Sequence, residues 1–218
     1  MASGWHLVVE KAGTGVGLSA LIDVGGFGMV IGDYGGQCIV LVMVRGLPLT
    51  TPSLLIRPLV VADASQIFLL SGEEAYRTWL PSQILEDESQ ARSVVEFLIS
   101  KHSDPGNPKL GPYVLAIEHR ADRALIGHVG FSPFEDDVEV GFAIGERYQR
   151  RGLATEAVAA ASRWVLDMFA LERILGVASA GNNASISTLV RAGFIPQNER
   201  IMSFQGAEQL VAVYALMR

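Results

Sequence analysis

The sequence contains a single cysteine, Cys38, among its 218 residues. One cysteine excludes an intramolecular disulfide and a metal cluster built from cysteines, so we expect no bound metal. A chain without disulfides fits a reducing compartment, and we therefore expect the protein to be cytoplasmic.

Charge is also scarce, and positive charge more so than negative charge. Charged residues make up 18% of the chain, with 17 Lys and Arg against 23 Asp and Glu, for a formal net charge of −6. An acidic chain lacks the basic face that phosphate backbones require, so general nucleic-acid binding is excluded. Half of the residues are hydrophobic, enough for one large domain or one domain with an appendage.

Long hydrophobic runs are missing from the N-terminal region. The longest, "CIVLVMV" (38–44), is far too short to span a bilayer as a helix. The first residues also lack the basic-then-apolar layout of a signal peptide. We therefore expect no membrane partner.

The first 46 residues differ in composition from the rest of the chain. They hold nearly half of the 23 glycines and very few charges. Glycines that separate short β-branched runs indicate short strands, and the alternative is a poorly specified segment, translated from an early start codon. The sequence thus predicts an N-terminal extension, 1–46, and a main domain, 47–218.

The main domain alternates between helical and extended patterns. A strand over 53–60 precedes a helix that Asp63 is placed to cap, and a second helix covers about 86–101. The remaining pattern predicts strands over 113–119, 124–134 and 137–145, a helix over 153–170, a buried strand over 173–179, a helix capped by Asn182 or Asn183 with an apolar face of Ile186, Leu189 and Val190, and a last strand over 209–217.

Between the strand ending near 145 and the helix starting at 153 lies "ERYQRRGLA". A strand, loop, helix and strand in this order normally form a parallel pair, with the loop at the helix N-terminus. Free N–H groups there, together with Arg147, Arg150 and Arg151, would form an anion site, and Gly152 would allow a phosphate to approach closely. The alternative is a solvated rim on an ordinary turn.

Three motifs in the expected order resemble the GNAT superfamily of N-acetyltransferases. "QRRGLA" (149–154) is similar to its acetyl-CoA signature, and "NNAS" (182–185) followed by "AGF" (192–194) is similar to its later motif. "TPSLLIRPLVVADASQIF" (51–68) resembles the start of the ribosomal-protein-alanine acetyltransferase, or Rim-type, branch. The resemblance covers about residues 51–218.

The resemblance implies an α+β (mixed α/β) GNAT fold: a mixed, mostly antiparallel sheet with a splayed parallel strand pair and about four helices. It implies acetyl-CoA as a co-substrate lying in the splay, where backbone groups would be left unpaired. The implied binding residues are Phe142, Ala143, Ile144, Gln149, Arg150, Arg151, Gly152, Leu153, Ala154, Thr155, Asn182 and Ser185. For Asn182 and Ser185 the alternative is plain helix capping.

Acetyl transfer to an amine requires loss of a proton from the ammonium group, so a general base is expected. Glu139 shares a strand face with Gly141 and Ala143 and is our candidate, with His128 and Glu118 as partners in a water chain. Tyr214 could approach the thiol, although a core position is the simpler interpretation, and Glu156 is interpreted as structural.

The sequence defines the acceptor less closely than it defines the donor. The acidic clusters 86–88 and 135–137 could attract a cationic amine, or they are solvated turns. We expect a primary amine, on a small molecule or a protein N-terminus, and leave a homodimer open. The alternative function is a non-catalytic acyl-CoA-binding or sensory module with the same fold.

Overall fold

The computed structural model describes residues 17–24, 27–34, 37–44, 46–104 and 106–218. The chain forms two compact units, Met1–Arg45 and Gly46–Arg218. The prediction that the first is a separate N-terminal extension stays a prediction. Within the described residues, no helix is both long and apolar enough to cross a membrane.

The first unit contains a three-stranded antiparallel sheet in the order β1-β2-β3. Its strands are β1 (Gly17–Val24), β2 (Phe27–Tyr34) and β3 (Gln37–Val44). The described residues of this glycine-rich region thus form short strands, and the choice between the two interpretations of residues 1–46 stays a prediction. The apolar run "WHLVV" (5–9), which the sequence also suggests as a strand, lies outside the described residues.

The second unit is built on an eight-stranded sheet in the order β10-β11-β9-β8-β7-β6-β5-β4. Every neighbouring pair is antiparallel except β8 and β9, which are parallel. This mixed α+β architecture confirms the predicted fold class. The strands are β4 (Leu49–Thr50), β5 (Leu54–Pro58), β6 (Tyr113–His119), β7 (Ala124–Phe134), β8 (Asp137–Ile144), β9 (Arg173–Ser179), β10 (Ile195–Phe204) and β11 (Ala207–Met217).

Five α-helices lie in the described part of the chain, where the sequence predicts about four. They are α1 (Ala64–Ser71), α2 (Glu74–Trp79), α3 (Glu88–Lys101), α4 (Leu153–Met168) and α5 (Asn183–Arg191). The additional helix is α2, whose six residues are too few to show a helical period. Helices α1 and α3 pack on β7 and β6, whereas α4 and α5 pack on β8 and β9.

The main core lies between α4 and the sheet. Helix α4 packs on this core with one apolar stripe, on which Val158, Ala161 and Val165 are fully buried. On α5, Leu189 is buried and Ile186 packs against the same core, but Val190 is 51% exposed. The predicted apolar face of α5 is therefore wrong at Val190, which follows Leu189 by about 100° around the helix and turns away from the sheet.

Candidate active site

The parallel strands β8 and β9 separate soon after they meet. Their pairing is limited to Glu139 with Leu175 and Val140 with Gly176, although both strands continue beyond these residues. A gap therefore opens between the strands from Gly141 onward. This is the splayed parallel pair that the sequence predicts.

Backbone groups on the β8 side of the gap alternate in direction. The Gly145 N–H donates to the carbonyl of Ile126 on the β7 side at 2.8 Å. In an antiparallel ladder, Ala143, two residues earlier, must then also face β7, whereas Phe142 and Ile144 face the gap. The expectation that Ala143 leaves unpaired backbone groups is therefore wrong, because those groups belong to its pairing with His128.

The turn after β8 is fastened by Gln149. Its side-chain amide donates to the carbonyl of Ile144 at 2.9 Å, so this glutamine closes the end of the strand rather than pointing freely at a ligand. The same bond occupies an Ile144 carbonyl that the sequence predicts to be unpaired. The N–H of Ile144 and both backbone groups of Phe142 are the groups of these residues left facing the gap.

Helix α4 begins at this turn without a side-chain cap. Gly152 is the N-cap, with φ of 78°. The Glu156 N–H donates to the Gly152 carbonyl at 3.0 Å. The N–H groups of Leu153, Ala154 and Thr155 have no acceptor among the described residues. Three free donors at the positive end of a helix form an anion site, and no atom lies within 4 Å of a Cβ built on Gly152.

The arginines beside this helix end are arranged around Tyr148. The guanidinium carbons of Arg147 and Arg151 lie 5.7 Å and 5.5 Å from the centre of the Tyr148 ring. Tyr148 is itself held by its hydroxyl, which donates to Asp122 at 2.8 Å. Arg150 has a positive φ of 58° and is exposed. Positive charge is thus concentrated at the rim of the free helix end.

On the β9 side, Asn182 caps α5. Its side-chain oxygen accepts from the Ser185 N–H at 3.0 Å, which is the capping role that the sequence offers as the alternative. The Asn182 amide nitrogen and the Ser185 hydroxyl have no hydrogen-bond partner among the described residues. Asn182 is 8% exposed, so its free amide donor sits in a largely buried position at the gap's second edge.

Glu139 lies where the two strands last pair. Burial raises the pKa of Glu139 to about 7, and its carboxylate has no hydrogen-bond or ion-pair partner among the described residues. The cluster on the same face of the sheet is apolar, with Leu175, Val211 and Val213 buried. A carboxylate in such surroundings holds its proton to near neutral pH and is suited to exchange it there.

His128 faces the same side of the sheet about four strand residues from Glu139, opposite Ala143. Its Nδ1 lies 3.2 Å from the hydroxyl of Tyr76 on α2. Burial lowers the pKa of His128 to about 4, so the ring is neutral at pH 7 and attaches α2 to the sheet. The sequence does not reveal Tyr76 as part of the site, because α2 has no detectable period.

Helix α2 is also tied to the turn that leads into the α4 loop. The Ala75 N–H donates to Glu146 at 3.0 Å, and the Glu146 N–H donates to Glu73 at 2.8 Å. A Cβ placed on Gly181, the residue before Asn182, would lie 4.0 Å from the ring of Trp79 at the end of α2. This short helix is therefore fastened to the β8 edge of the gap and ends close to the other edge, which only the tertiary structure shows.

Several other candidates have structural roles. Glu118, suggested as a water-chain partner, accepts from Arg57 at 3.0 Å, and the same Arg57 binds Asp63 at 2.8 Å. The Asp63 carboxylate therefore binds Arg57 and makes no capping hydrogen bond to the first turn of α1, so the predicted side-chain cap is wrong. Glu156 accepts from the Ser53 N–H at 2.7 Å, as its structural interpretation requires. Tyr214 packs against the main core.

Half of the carboxylates in the acidic clusters 86–88 and 135–137 are used within the fold. Glu135 binds Arg200 and Asp137 binds Arg173, each at 2.7 Å. Asp87 caps α3 by accepting from the Gln90 N–H at 2.8 Å. Three of the six carboxylates are therefore engaged, which weakens the case for an electrostatic funnel. In the described part of the chain, no group of three His, Cys, Asp or Glu residues is arranged to hold a metal ion.

A splayed parallel pair beside an uncapped helix N-terminus defines a class of acyl-CoA-dependent transferases, and comparison with known proteins agrees. The family model described as "Acetyltransferase (GNAT) domain" matches residues 53–195. The chain therefore belongs to the GNAT acetyltransferase family. Family membership and fold confirm the resemblance seen in the sequence and make the protein an acetyl-CoA-dependent acyltransferase.

Individual relatives are distant but cover most of the main domain. An uncharacterized N-acetyltransferase of Bacillus subtilis (strain 168), YoaA, is 26% identical over 149 residues, which are 67% of this chain and 81% of the relative. A RimL ribosomal L7/L12 alpha-N-protein acetyltransferase, solved with coenzyme A, has a TM-score of 0.65 at 16% identity and covers 78% of this chain and 97% of its own.

A third similar structure contains the donor itself. The Microcin C7 self immunity acetyltransferase MccE, solved with acetyl-CoA and AMP, has a TM-score of 0.66 at 16% identity and covers 77% of this chain and 94% of its own. At these identities the structures share the fold with this protein. Among them are ribosomal-protein acetyltransferases, as the resemblance to the Rim-type branch predicts.

Proposed function

We propose that the protein transfers the acetyl group of acetyl-CoA directly to a primary amine, with both substrates bound at once and Glu139 as the general base. The observation that carries this proposal is the position of Glu139. Its unpartnered carboxylate, with a pKa raised to about 7, lies where β8 and β9 begin to separate. A base is most effective when its pKa is near the working pH.

The donor is expected to lie along the gap. Its pyrophosphate would be held by the N–H groups of Leu153, Ala154 and Thr155, with Gly152 allowing close approach. The exposed side chains of Arg150 and Arg151 would add positive charge. Gln149 contributes by holding the turn in place, since its amide is bonded to the end of β8.

The pantetheine arm would follow the free edge of β8. The carbonyl of Phe142 and the N–H of Ile144 face the gap and can pair with its amides as a neighbouring strand would. On the other edge, the Asn182 amide can donate to a pantetheine carbonyl while its oxygen caps α5. Ala143 and Ser185 would contribute contact through their side chains.

The length of β8 supports a position of the reacting thioester near Glu139. Five residues separate Ile144 from Glu139, which corresponds to about 17 Å of extended strand. A donor anchored at α4 by its phosphates, and running back along this edge, brings its acyl end toward the point where the strands converge. The backbone N–H of Phe142 faces the gap and is suited to stabilise the developing oxyanion.

The proton balance is simple. Glu139 accepts a proton from the ammonium group of the acceptor, and the free amine attacks the thioester carbonyl carbon. As the new C–N bond forms, the C–S bond breaks and coenzyme A leaves as a thiolate. The adduct nitrogen then loses its second proton to the departing thiolate, which is released as the thiol of coenzyme A, and Glu139 returns the first proton to solvent. A thiolate needs little assistance to depart, so catalysis is largely positional.

The acceptor is a small amine or a protein N-terminus. RimL is described as acting on the N-terminal α-amine of a ribosomal protein, and this chain shares its fold. No observation favours the alternative of a non-catalytic acyl-CoA-binding module. A cytoplasmic location and a homodimer stay predictions from the sequence.

The test is release of free thiol from acetyl-CoA across a panel of amines and peptides, with acetyl-CoA affinity measured separately. Turnover of at least one amine, with kcat/KM rising with pH about an apparent pKa near 7, is expected. Glu139→Gln should lower this rate while leaving acetyl-CoA affinity intact. Tight binding without turnover of any acceptor would contradict the transferase and favour the binding module, and absence of binding would contradict both.

A further inference from the structure

The sheet face beside Glu139 is apolar over several strands. Register places β8, β9, β11 and β10 so that one face carries Glu139 and an apolar cluster. Four members of this cluster are partly exposed and can meet a ligand. We call them the acceptor surface: Phe134, Val177, Met202 and Phe204.

Two contacts hold the β10–β11 hairpin over this region. At its tip, the Ser82 hydroxyl donates to the side-chain oxygen of Gln205 at 2.5 Å, which joins the hairpin to the segment after α2. Farther along β10, Arg200 binds Glu135 in the β7–β8 turn at 2.7 Å and lies 5.8 Å from the centre of the Phe134 ring. The acceptor surface is therefore bordered by polar links on two sides.

Charge on this face is almost entirely paired. Arg200 is ion-paired with Glu135 through one terminal nitrogen, while its buried Nε has no hydrogen-bond partner among the described residues. Among the described strand residues of this face, Glu139 is the carboxylate without an ion pair and is left to meet the amine. A second positive charge on the acceptor would find no carboxylate partner there, and a polar side chain would lose water against apolar atoms. Both would bind at a cost in free energy.

We propose that the natural acceptor is a primary amine with an apolar substituent on the carbon that carries the nitrogen, and that this substituent packs on the acceptor surface. The amine then reaches Glu139 while the substituent covers Val177, Met202 and Phe204. This inference rests on the proposed acetyl transfer and narrows its substrate class. An acceptor that presents a lysine side chain or another polycation is disfavoured.

Four amino-acid amides test the proposal, because they share the same α-amine and differ in the side chain. Leucinamide, glutaminamide, lysinamide and the α-amide of glutamate are compared at saturating acetyl-CoA by thiol release, with the full chain. We expect kcat/KM for leucinamide to exceed that for glutaminamide, which is similar in size, by about tenfold to a hundredfold. Lysinamide and the glutamate amide should be poorer still.

A pair of neighbouring variants assigns the preference to the acceptor surface. Met202→Gln should reduce the leucinamide-to-glutaminamide ratio by about threefold to tenfold, since it replaces an apolar contact with a polar one of similar size. Ile201→Gln is the control, because Ile201 lies on the opposite face of the same strand and is 68% exposed. Val177→Thr should also reduce the leucinamide-to-glutaminamide ratio. It keeps the side-chain shape, so it should disturb folding less than Met202→Gln.

The outcomes separate this inference from the function on which it rests. Equal kcat/KM values for leucinamide and glutaminamide, or a preference for lysinamide, overturn the apolar acceptor and leave acetyl transfer standing. An unchanged ratio in both Met202→Gln and Val177→Thr, with folded protein by circular dichroism, removes the acceptor surface from recognition. No thiol release with any of the four amides, while another amine or peptide of the wider panel is acetylated, overturns the apolar acceptor alone. No thiol release with any acceptor of either set, although acetyl-CoA binds, overturns both proposals.

Discussion

Replacing Glu139 with glutamine should make the protein more stable at alkaline pH while it makes the enzyme slower. Burial raises the pKa of Glu139 from 4.5 to about 7, so the folded state holds this proton more firmly than the unfolded chain does. The favourable contribution of the protonated form is complete below pH 4.5 and is lost as the pH rises through 7. A shift of this size corresponds to about 3 kcal/mol in the free energy of unfolding.

Glutamine has nearly the same shape and no charge to desolvate. The variant should therefore exceed the wild type in free energy of unfolding by up to about 3 kcal/mol at pH 8.5, and the difference should shrink toward zero at pH 4.5. Because the general base is lost, kcat/KM should fall by about a hundredfold to ten-thousandfold at the same alkaline pH. Acetyl-CoA affinity should not change, since the proposed phosphate contacts lie at the other end of β8.

Denaturant unfolding at pH 4.5, 7 and 8.5 measures the first effect, and thiol release across the same range measures the second. Glu208→Gln is the matched control, because Glu208 is an exposed carboxylate on β11. Equal stability of Glu139→Gln and wild type at pH 8.5 would show that the carboxylate is well solvated and refute the account of its raised pKa. An unchanged rate would remove Glu139 from catalysis even if the stability result held.

Three further perturbations test other parts of the structure. Gly152→Asp should abolish acetyl-CoA binding, measured by calorimetric titration, because it places a carboxylate at the free N–H groups of α4. Gly206→Asp is the control: Gly206 has a similar φ of 83° and open space around it, so its affinity should be unchanged. Equal affinities of the two variants would remove the loop from the site. Lowering the pH from 6.5 to 4 should lower the free energy of unfolding by about 3 kcal/mol through protonation of His128, because the folded state depresses the pKa of His128 to about 4. In a His128→Gln variant the free energy of unfolding should change less with pH over this range. An identical slope of this free energy against pH would contradict the assignment. A chain beginning at Gly46 should fold and retain thiol release, because Leu47 and Leu49 pack on the main core and belong to the second compact unit. Loss of soluble protein would show that the first unit is required.

Elements with a clear period were predictable from the sequence. The strands over 113–119, 124–134 and 173–179 have the predicted bounds, because each is an apolar run limited by turn residues. Helix α4 also begins where expected, directly after Gly152. In these elements the positions that are apolar in the sequence are the positions buried in the fold, so a local sequence pattern is enough to predict their bounds.

Elements that depend on their neighbours were not predictable. Helix α2 has six residues, and β10 is mostly exposed, so neither shows a core-facing period. Their positions are fixed by side-chain contacts across long stretches of chain, such as Tyr76 with His128 and Ser82 with Gln205. The sequence contains these residues but no local signal that pairs them.

The candidate site also has some features that the sequence predicts and others that it does not. The glycine before α4, the Asn182 cap and the Glu139 position are visible in the sequence because each depends on a few consecutive residues. The neutral His128 and the pairing of the acidic clusters with Arg173 and Arg200 are not, since each requires two distant segments. The separation of β8 from β9 was expected only through the resemblance to the GNAT family, not from a local pattern. The backbone direction of Ala143 also became known only from the register of its strand.

The amino-acid sequence alone thus determined the family and the donor, because a phosphate-binding turn is a local structure whose donors come from consecutive residues. The tertiary structure decided which carboxylate lies unpaired in an apolar environment, because desolvation depends on every side chain that folding brings around it. It also decided the character of the acceptor surface, where residues from β7, β9 and β10 meet beside Glu139.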